Sequence, residues 1–307
     1  MYIATLRQKQ GELRALDMLE PQYKNSDMFL PNIIISDSSR EALQNIQKKF
    51  NSTILLDTRE LSGDEIVDLE DIINTEDLSN YHINYNIETC INNWPINKFN
   101  YLKIPDQVLN EFFVQWVQAN SSSFPENIMF DFGAVNENLL EDKINIVSRI
   151  IDALGSKNYI ICSGAIPNTV PVKADANYNL RRLEVEIFNK IAKKGIGNYI
   201  FSDYSTVSPI ASTSEKVIPI VQIKYTLDTE YWFVRNGQRR GNYNFVHVCE
   251  QIVENASTFD KNSCWADQYI YDVYSNGQNS GNPSVWASLG INKHIVKCIN
   301  EYTYINN

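Results

Sequence analysis

Residues 127–162, NIMFDFGAVNENLLEDKINIVSRIIDALGSKNYIIC, hold two short apolar runs on either side of one amphipathic stripe. Asn127–Phe130 and Asn158–Ile161 are continuous in apolar character, which suits strands covered on both faces, as parallel strands are. Between them Leu140, Ile144, Val147, Ile151 and Leu154 step by 4, 3, 4 and 3, the period of a helix, and Gly155 follows as a C-terminal cap. Strand, helix and strand in this order make a parallel βαβ unit.

The unit repeats along the chain. Tyr2–Leu6, Asn32–Ser36, Thr53–Leu56, Tyr101–Ile104, Asn198–Phe201 and Pro219–Tyr225 bring the strand-like runs to eight. Helical stripes lie between or after them: Leu13, Leu16 and Leu19; Val108, Phe112 and Trp116; Leu180, Leu183, Ile187 and Ile191; Phe245, Val248 and Ile252. A last helix falls within Pro283–Ile299, where Gly290 is placed to interrupt it. Eight units predict an α/β fold, a single (β/α)8 TIM-like barrel over residues 1–307. The spacing leaves residues 58–100 as an acidic insertion after the third strand and 255–282 as a long rim loop after the eighth.

The 307 residues are 43% hydrophobic, enough for a full-sized core, and carry a net charge of −10. That charge argues against a broad nucleic-acid surface, which needs many Lys and Arg on phosphates. Eight carboxylates and no cation lie in residues 60–77, a solvated face or a dock for a basic partner subunit. Without them the remainder is near neutral, so a local anionic ligand stays compatible. Met1–Gln10 lacks an apolar core and is read as no signal peptide, and no run approaches the ~20 apolar residues of a membrane span. Five scattered cysteines without a CxxC pair suit reduced thiols in the cytoplasm.

Four strand-like runs end in aspartate: Asp37, Asp57, Asp131 and Asp203. All strand C-termini of a parallel barrel face one rim, so these carboxylates are expected to converge there. Converged, they would suit a hard divalent cation such as Mg or Mn, or general acid and base roles; singly, each suits a turn cap. Asp57, Asp131, Asp203 and Tyr204, which follows Asp203, are the catalytic candidates. Arg235, Arg239 and Arg240 surround Gly237 as a loop able to grip an anion, or as a plain hairpin turn. His82, His247 and His294 show no HxH or HExxH spacing, and Walker, GxSxG and GxGxxG motifs are absent from the chain.

Met1-Tyr2-Ile3 to Arg7, then Gly11-Glu12-Leu13 and Ala15-Leu16, resemble the start of the phage beta-protein family. The order Asp203-Tyr204, Tyr225, Trp232, Arg240-Gly241, Trp265, Asp267, Trp286 and Asn292-Lys293-His294 is similar too, so the resemblance runs through nearly the whole chain. The family occurs in phages and bacteria near genes of phage–host conflict, which implies a defence or counter-defence role without naming a reaction. A His-His pair expected near its C-terminus is here Lys293-His294. Glu12, Arg240, Trp265, Asp267 and His294, on which the resemblance rests, join Arg235 of the arginine loop as the ligand-binding candidates. Three functions compete: a recognition barrel binding at its strand-end mouth, a hydrolase of phosphodiester or glycosidic bonds using strand-end carboxylates, and a structural subunit docking through residues 60–77.

Overall fold

The computed structural model describes residues 1–76, 78–93, 99–136, 141–211, 218–239 and 243–303. In chain order the strands are β1 (Tyr2–Arg7), β2 (Phe29–Ile34), β3 (Ile54–Asp57), β4 (Tyr81–Asn86), β5 (Tyr101–Pro105), β6 (Asn127–Ala134), β7 (Asn158–Gly164), β8 (Tyr178–Arg181), β9 (Asn198–Asp203), β10 (Ile220–Thr226) and β11 (Glu230–Gln238). The α-helices among the described residues are α1 (Gln10–Asp17), α2 (Arg40–Lys49), α3 (Gly63–Thr75), α4 (Ile87–Cys90), α5 (Glu111–Asn120), α6 (Glu141–Leu154), α7 (Leu183–Ala192), α8 (Phe245–Asn255), α9 (Trp265–Asn276) and α10 (Pro283–Thr303).

Strands β1 to β7 pair in parallel in that order, β9 follows β7, and β9 closes on β1 through Tyr2↔Phe201 and Ala4↔Asp203. This is the expected closed barrel of eight parallel strands with helices outside, but its membership differs from the sequence reading. Pro219–Tyr225 contributes β10 to a separate antiparallel sheet, ordered β10-β11-β8. Its barrel place is taken by β4, so residues 58–100 supply a strand and two helices of the barrel rather than an insertion.

The physical reason lies in alternation. Strand β10 sets apolar Val221, Ile223 and Tyr225 against Gln222 and Lys224, the pattern of a strand buried on one face. Strand β4 carries Asn84 into the barrel lumen, which breaks the apolar run expected of a doubly covered strand. Residues 255–282 likewise hold a helix, α9, whose buried Ile270 and Val273 are interleaved with tyrosines. Leu180 belongs to β8, and α7 begins at Leu183; Leu140 lies outside the described residues.

Gly290 does not interrupt α10. A Cβ there would stand 2.7 Å from the Lys224 carbonyl, so glycine lets the helix lie directly on β10. Every residue from Ser288 to Val296 is buried, since α10 is covered by the barrel wall on one side and the small sheet on the other. On α3 the capping box of Ser62 and Glu65 starts the helix, Ile66 and Leu69 face the core, and Asp64, Glu65, Asp68 and Asp71 face solvent. No helix among the described residues is long and apolar enough to cross a membrane.

Candidate functional site

Barrel side chains alternate between the lumen and the helix layer. Ile3, Leu30, Leu55, Met129 and Ile160, with Tyr101 and Ile200, fill one apolar level of the lumen. Two residues further along each strand comes a polar or thiol side chain: Thr5, Asn32, Asp57, Asn84, Lys103, Asp131, Cys162 and Ser202, all buried. Hydrogen bonds run round this level, from Asn84 Nδ2 to Asn32 Oδ1 (3.2 Å), and from Asn32 Nδ2 to Thr5 Oγ1 (3.1 Å) and Asp57 Oδ2 (3.3 Å).

Charge concentrates on the β3, β5 and β6 side. Lys103 Nζ lies 2.6 Å from Asp57 Oδ1, and Arg59 Nη2 bridges Asp57 Oδ2 (2.5 Å) and Asp131 Oδ2 (2.8 Å). One nitrogen thus holds both carboxylates. Tyr204 covers them, donating to Asp131 Oδ2 (2.7 Å) and accepting from Arg59 Nη1 (2.6 Å), while the guanidinium lies 5.5 Å from its ring. Burial works against the Asp57 charge, but Arg59 and Lys103 outweigh it and hold the carboxyl well below the usual carboxylate range. Burial lowers Lys103, with Asp57 opposing. Two cations and two carboxylates balance here, with the Arg59 side chain 20% exposed at the mouth.

A bulge after Asp131 supports this arrangement: the β6–β7 register shifts between Asp131 and Ala134, and Gly133 adopts φ +61°. Its N–H donates to Asp131 Oδ1 at 3.0 Å. Ser205, at φ +52°, makes the corresponding turn beside Tyr204.

The expected convergence therefore holds for Asp57, Asp131 and Tyr204 but fails for the other two aspartates. Asp37 is exposed beyond β2 and accepts from the Ser39 N–H at 2.9 Å, a turn role. Ser202 takes the lumen side of β9, so strand alternation sends Asp203 outward to α10. There its Oδ1 accepts from Tyr2 Oη (2.6 Å) and Ser205 N (2.8 Å), and its Oδ2 meets His294 Nε2 (2.8 Å). Burial disfavours the Asp203 charge, but His294 and the hydrogen bonds hold its pKa down.

The ligand-binding candidates separate as well. Glu12 is buried at the third position of α1 and accepts from the Arg7 N–H at 2.5 Å; burial pushes its pKa up to about 7. Arg235 lies on strand β11 rather than in a loop, and spends Nη1 on the carbonyls of Lys173 (3.0 Å) and Val172 (3.4 Å). Arg240 lies outside the described residues. Trp265 opens α9 under the Arg14 guanidinium, 5.8 Å from its ring. Asp267 is wholly buried, held by Lys293 Nζ (2.6 Å), Ser263 Oγ (2.7 Å) and Tyr225 Oη (2.9 Å). Lys293 and His294 thus serve different carboxylates, Asp267 and Asp203.

Sequence reading missed Arg59 and Lys103. Lys103 had a signal: it is a lone cation inside the apolar run Tyr101–Ile104, at the stride of two that also picks out Asp131 and Cys162. It missed Lys224 too. This side chain lines a rim cavity of about 310 Å³ with Thr206, Val207, Ile218, Pro283 and Trp286. Its Nζ donates to Thr206 O at 2.9 Å, and burial lowers its pKa to about 8 against the opposing pull of Glu12.

A search of curated proteins gave no match. A family model described as Beta protein matches residues 113–300, from α5 through β6, β7, β9 and the small sheet into α10. More than half of the chain lies within that match, and the chain belongs to the beta-protein family.

Proposed function

We propose that this protein is a recognition barrel that takes an apolar anion at its strand-end rim, in the cavity beside Lys224, and acts in phage–host conflict as the family resemblance implies. The observation that carries this reading is the contrast between two neighbouring sites. Asp57 and Asp131 already have their oxygens on Lys103, Arg59 and Tyr204, whereas the rim cavity has an apolar wall and one ammonium with protons to spare beyond its bond to Thr206. Anilinonaphthalene sulfonate, an apolar anion, tests it by fluorescence. Saturable binding is expected, weakened about tenfold by Lys224→Met, the worth of one charge-assisted contact of roughly 1.4 kcal/mol. Binding equal in Lys224→Met and in the cavity-filling Ala287→Trp refutes the reading.

A hydrolase reading draws on the single Arg59 nitrogen shared by Asp57 and Asp131, which brings the carboxylates close enough for paired acid and base work. Turnover of a nitrophenyl glycoside or phosphodiester with Mg or Mn, lost in Asp131→Ala, would favour it over recognition. A partner subunit belongs to the recognition reading: the solvent-facing carboxylates of α3 offer a dock for a basic chain. Complexes recovered by pull-down should fall apart at high salt; salt-insensitive complexes would move the dock elsewhere.

A further inference from the structure

We propose that Asp203, His294 and Cys298 form a three-ligand site for a borderline-soft divalent metal of the zinc type, pinning the last barrel strand to α10. Carboxylate oxygen, imidazole nitrogen and thiol sulfur all lie within 4.8 Å of one another, and all three residues are fully buried. His294 Nε2 is the centre of the group, 2.8 Å from Asp203 Oδ2 and 3.3 Å from Cys298 Sγ. Helix α10 presents His294 and Cys298 together because they stand four residues apart, one turn of one face.

The second observation is that each ligand is held from behind. Tyr2 Oη and Ser205 N occupy Asp203 Oδ1, leaving Oδ2 forward; Thr226 Oγ1 meets His294 Nδ1 at 3.0 Å, leaving Nε2 forward; and Arg182 Nη2 approaches Cys298 Sγ at 3.2 Å. Such outer partners are what fix ring tautomer and ligand orientation at metal sites. A proton serves this geometry poorly. Nε2 carries at most one hydrogen, and with that hydrogen on the Asp203 carboxylate 2.8 Å away the Cys298 thiol at 3.3 Å receives none from the ring, while a metal engages all three donor atoms together.

Charge and donor type choose the ion. A carboxylate and a thiolate neutralise a divalent cation, and Arg182 is itself balanced by Glu301 at 2.9 Å and Glu184 at 3.7 Å. An O, N and S set selects zinc or cobalt over magnesium or calcium, which prefer oxygen alone. Tetrahedral ligation separates such donors by roughly 3.4–3.6 Å, so metal entry lengthens the 2.8 Å Asp203–His294 contact by roughly 0.6–0.8 Å. The site is distinct from the rim cavity and does not depend on it.

Elemental analysis of the purified full chain after exposure to zinc and removal of excess tests the proposal, with cobalt as a second probe. About one zinc per chain and a thiolate-to-cobalt charge-transfer absorption are expected, with metal content falling at least tenfold in Cys298→Ala and in His294→Gln. Folded wild-type protein that retains no zinc and gives no cobalt–thiolate band overturns it, and the cluster is then a proton-bonded network. Because that result uses wild type, misfolding of a variant does not blur it. Metal retained undiminished in folded Cys298→Ala equally overturns the assignment.

Discussion

Replacing Asp57 by Asn removes one of the two carboxylates that balance two buried cations and leaves Asp131 alone against both Lys103 and Arg59. Lys103, 1% exposed, has Asp57 as its hydrogen-bond partner at 2.6 Å, and Arg59 reaches the same carboxylate through Nη2 at 2.5 Å. Removing one partner of a buried pair costs about 3–5 kcal/mol, because the other charge stays buried and uncompensated. Against a typical domain stability of roughly 5–15 kcal/mol, that is a large fraction. Urea unfolding of Asp57→Asn should therefore show a lowered midpoint with an unchanged slope, the product of shift and slope equalling this loss. Asp37→Asn, altering an exposed aspartate, should change stability by less than about 0.5 kcal/mol.

Linkage supplies a second reading of the same variant. The folded Asp57 pKa lies below its unfolded value, so its stabilising contribution is present above the unfolded value near 4 and is lost as pH falls through the folded one. The gap between wild type and Asp57→Asn should be widest at neutral pH and narrow in acid. The double variant Asp57→Asn/Lys103→Met, which removes both charges, should be more stable than Asp57→Asn alone. A loss under about 1 kcal/mol in the single variant, or a double variant no better than the single, would refute the claim that these charges compensate each other.

Other outcomes follow from the same geometry. Glu12→Gln should stabilise the protein at pH 8 by up to about 3 kcal/mol, because the raised folded pKa disfavours folding progressively from pH 4.5 to about 7; equal stability curves across that window would remove the buried carboxyl from the account. Gly290→Ala should lower the melting temperature despite the better helix propensity of alanine, since its Cβ meets the Lys224 carbonyl at 2.7 Å and overpacking costs about 1–3 kcal/mol; a rise would mean that α10 and β10 separate easily. Lys293→Met should destabilise by about 3 kcal/mol through the stranded Asp267 carboxylate, and near-neutral urea unfolding of that variant would place the charge in water.

Period alone carried the barrel a long way. Apolar runs and helical stripes are local properties, so the eight-unit rhythm, the parallel class and the strand-end positions of Asp57 and Asp131 could all be read along the chain. The site's cations were harder to see, because Lys103 and Arg59 acquire meaning from a carboxylate on another strand, and that juxtaposition depends on closure and register. The same holds for Asp203: its place at a strand end is legible, but whether it faces lumen or helix depends on the strand's rotation, and Ser202 holds the lumen side. Which strand entered the barrel was also a tertiary matter. Strand β4 hides Asn84 in a polar lumen that no local pattern reveals, while β10, more apolar by composition, finds its partner in β11 and its cover in α10. Sequence by itself determined the repeating unit, because backbone period and side-chain polarity are set over a few residues. Tertiary structure decided which side chains met, because closing the barrel and laying α10 between two sheets brings together residues as far apart as Asp203 and His294.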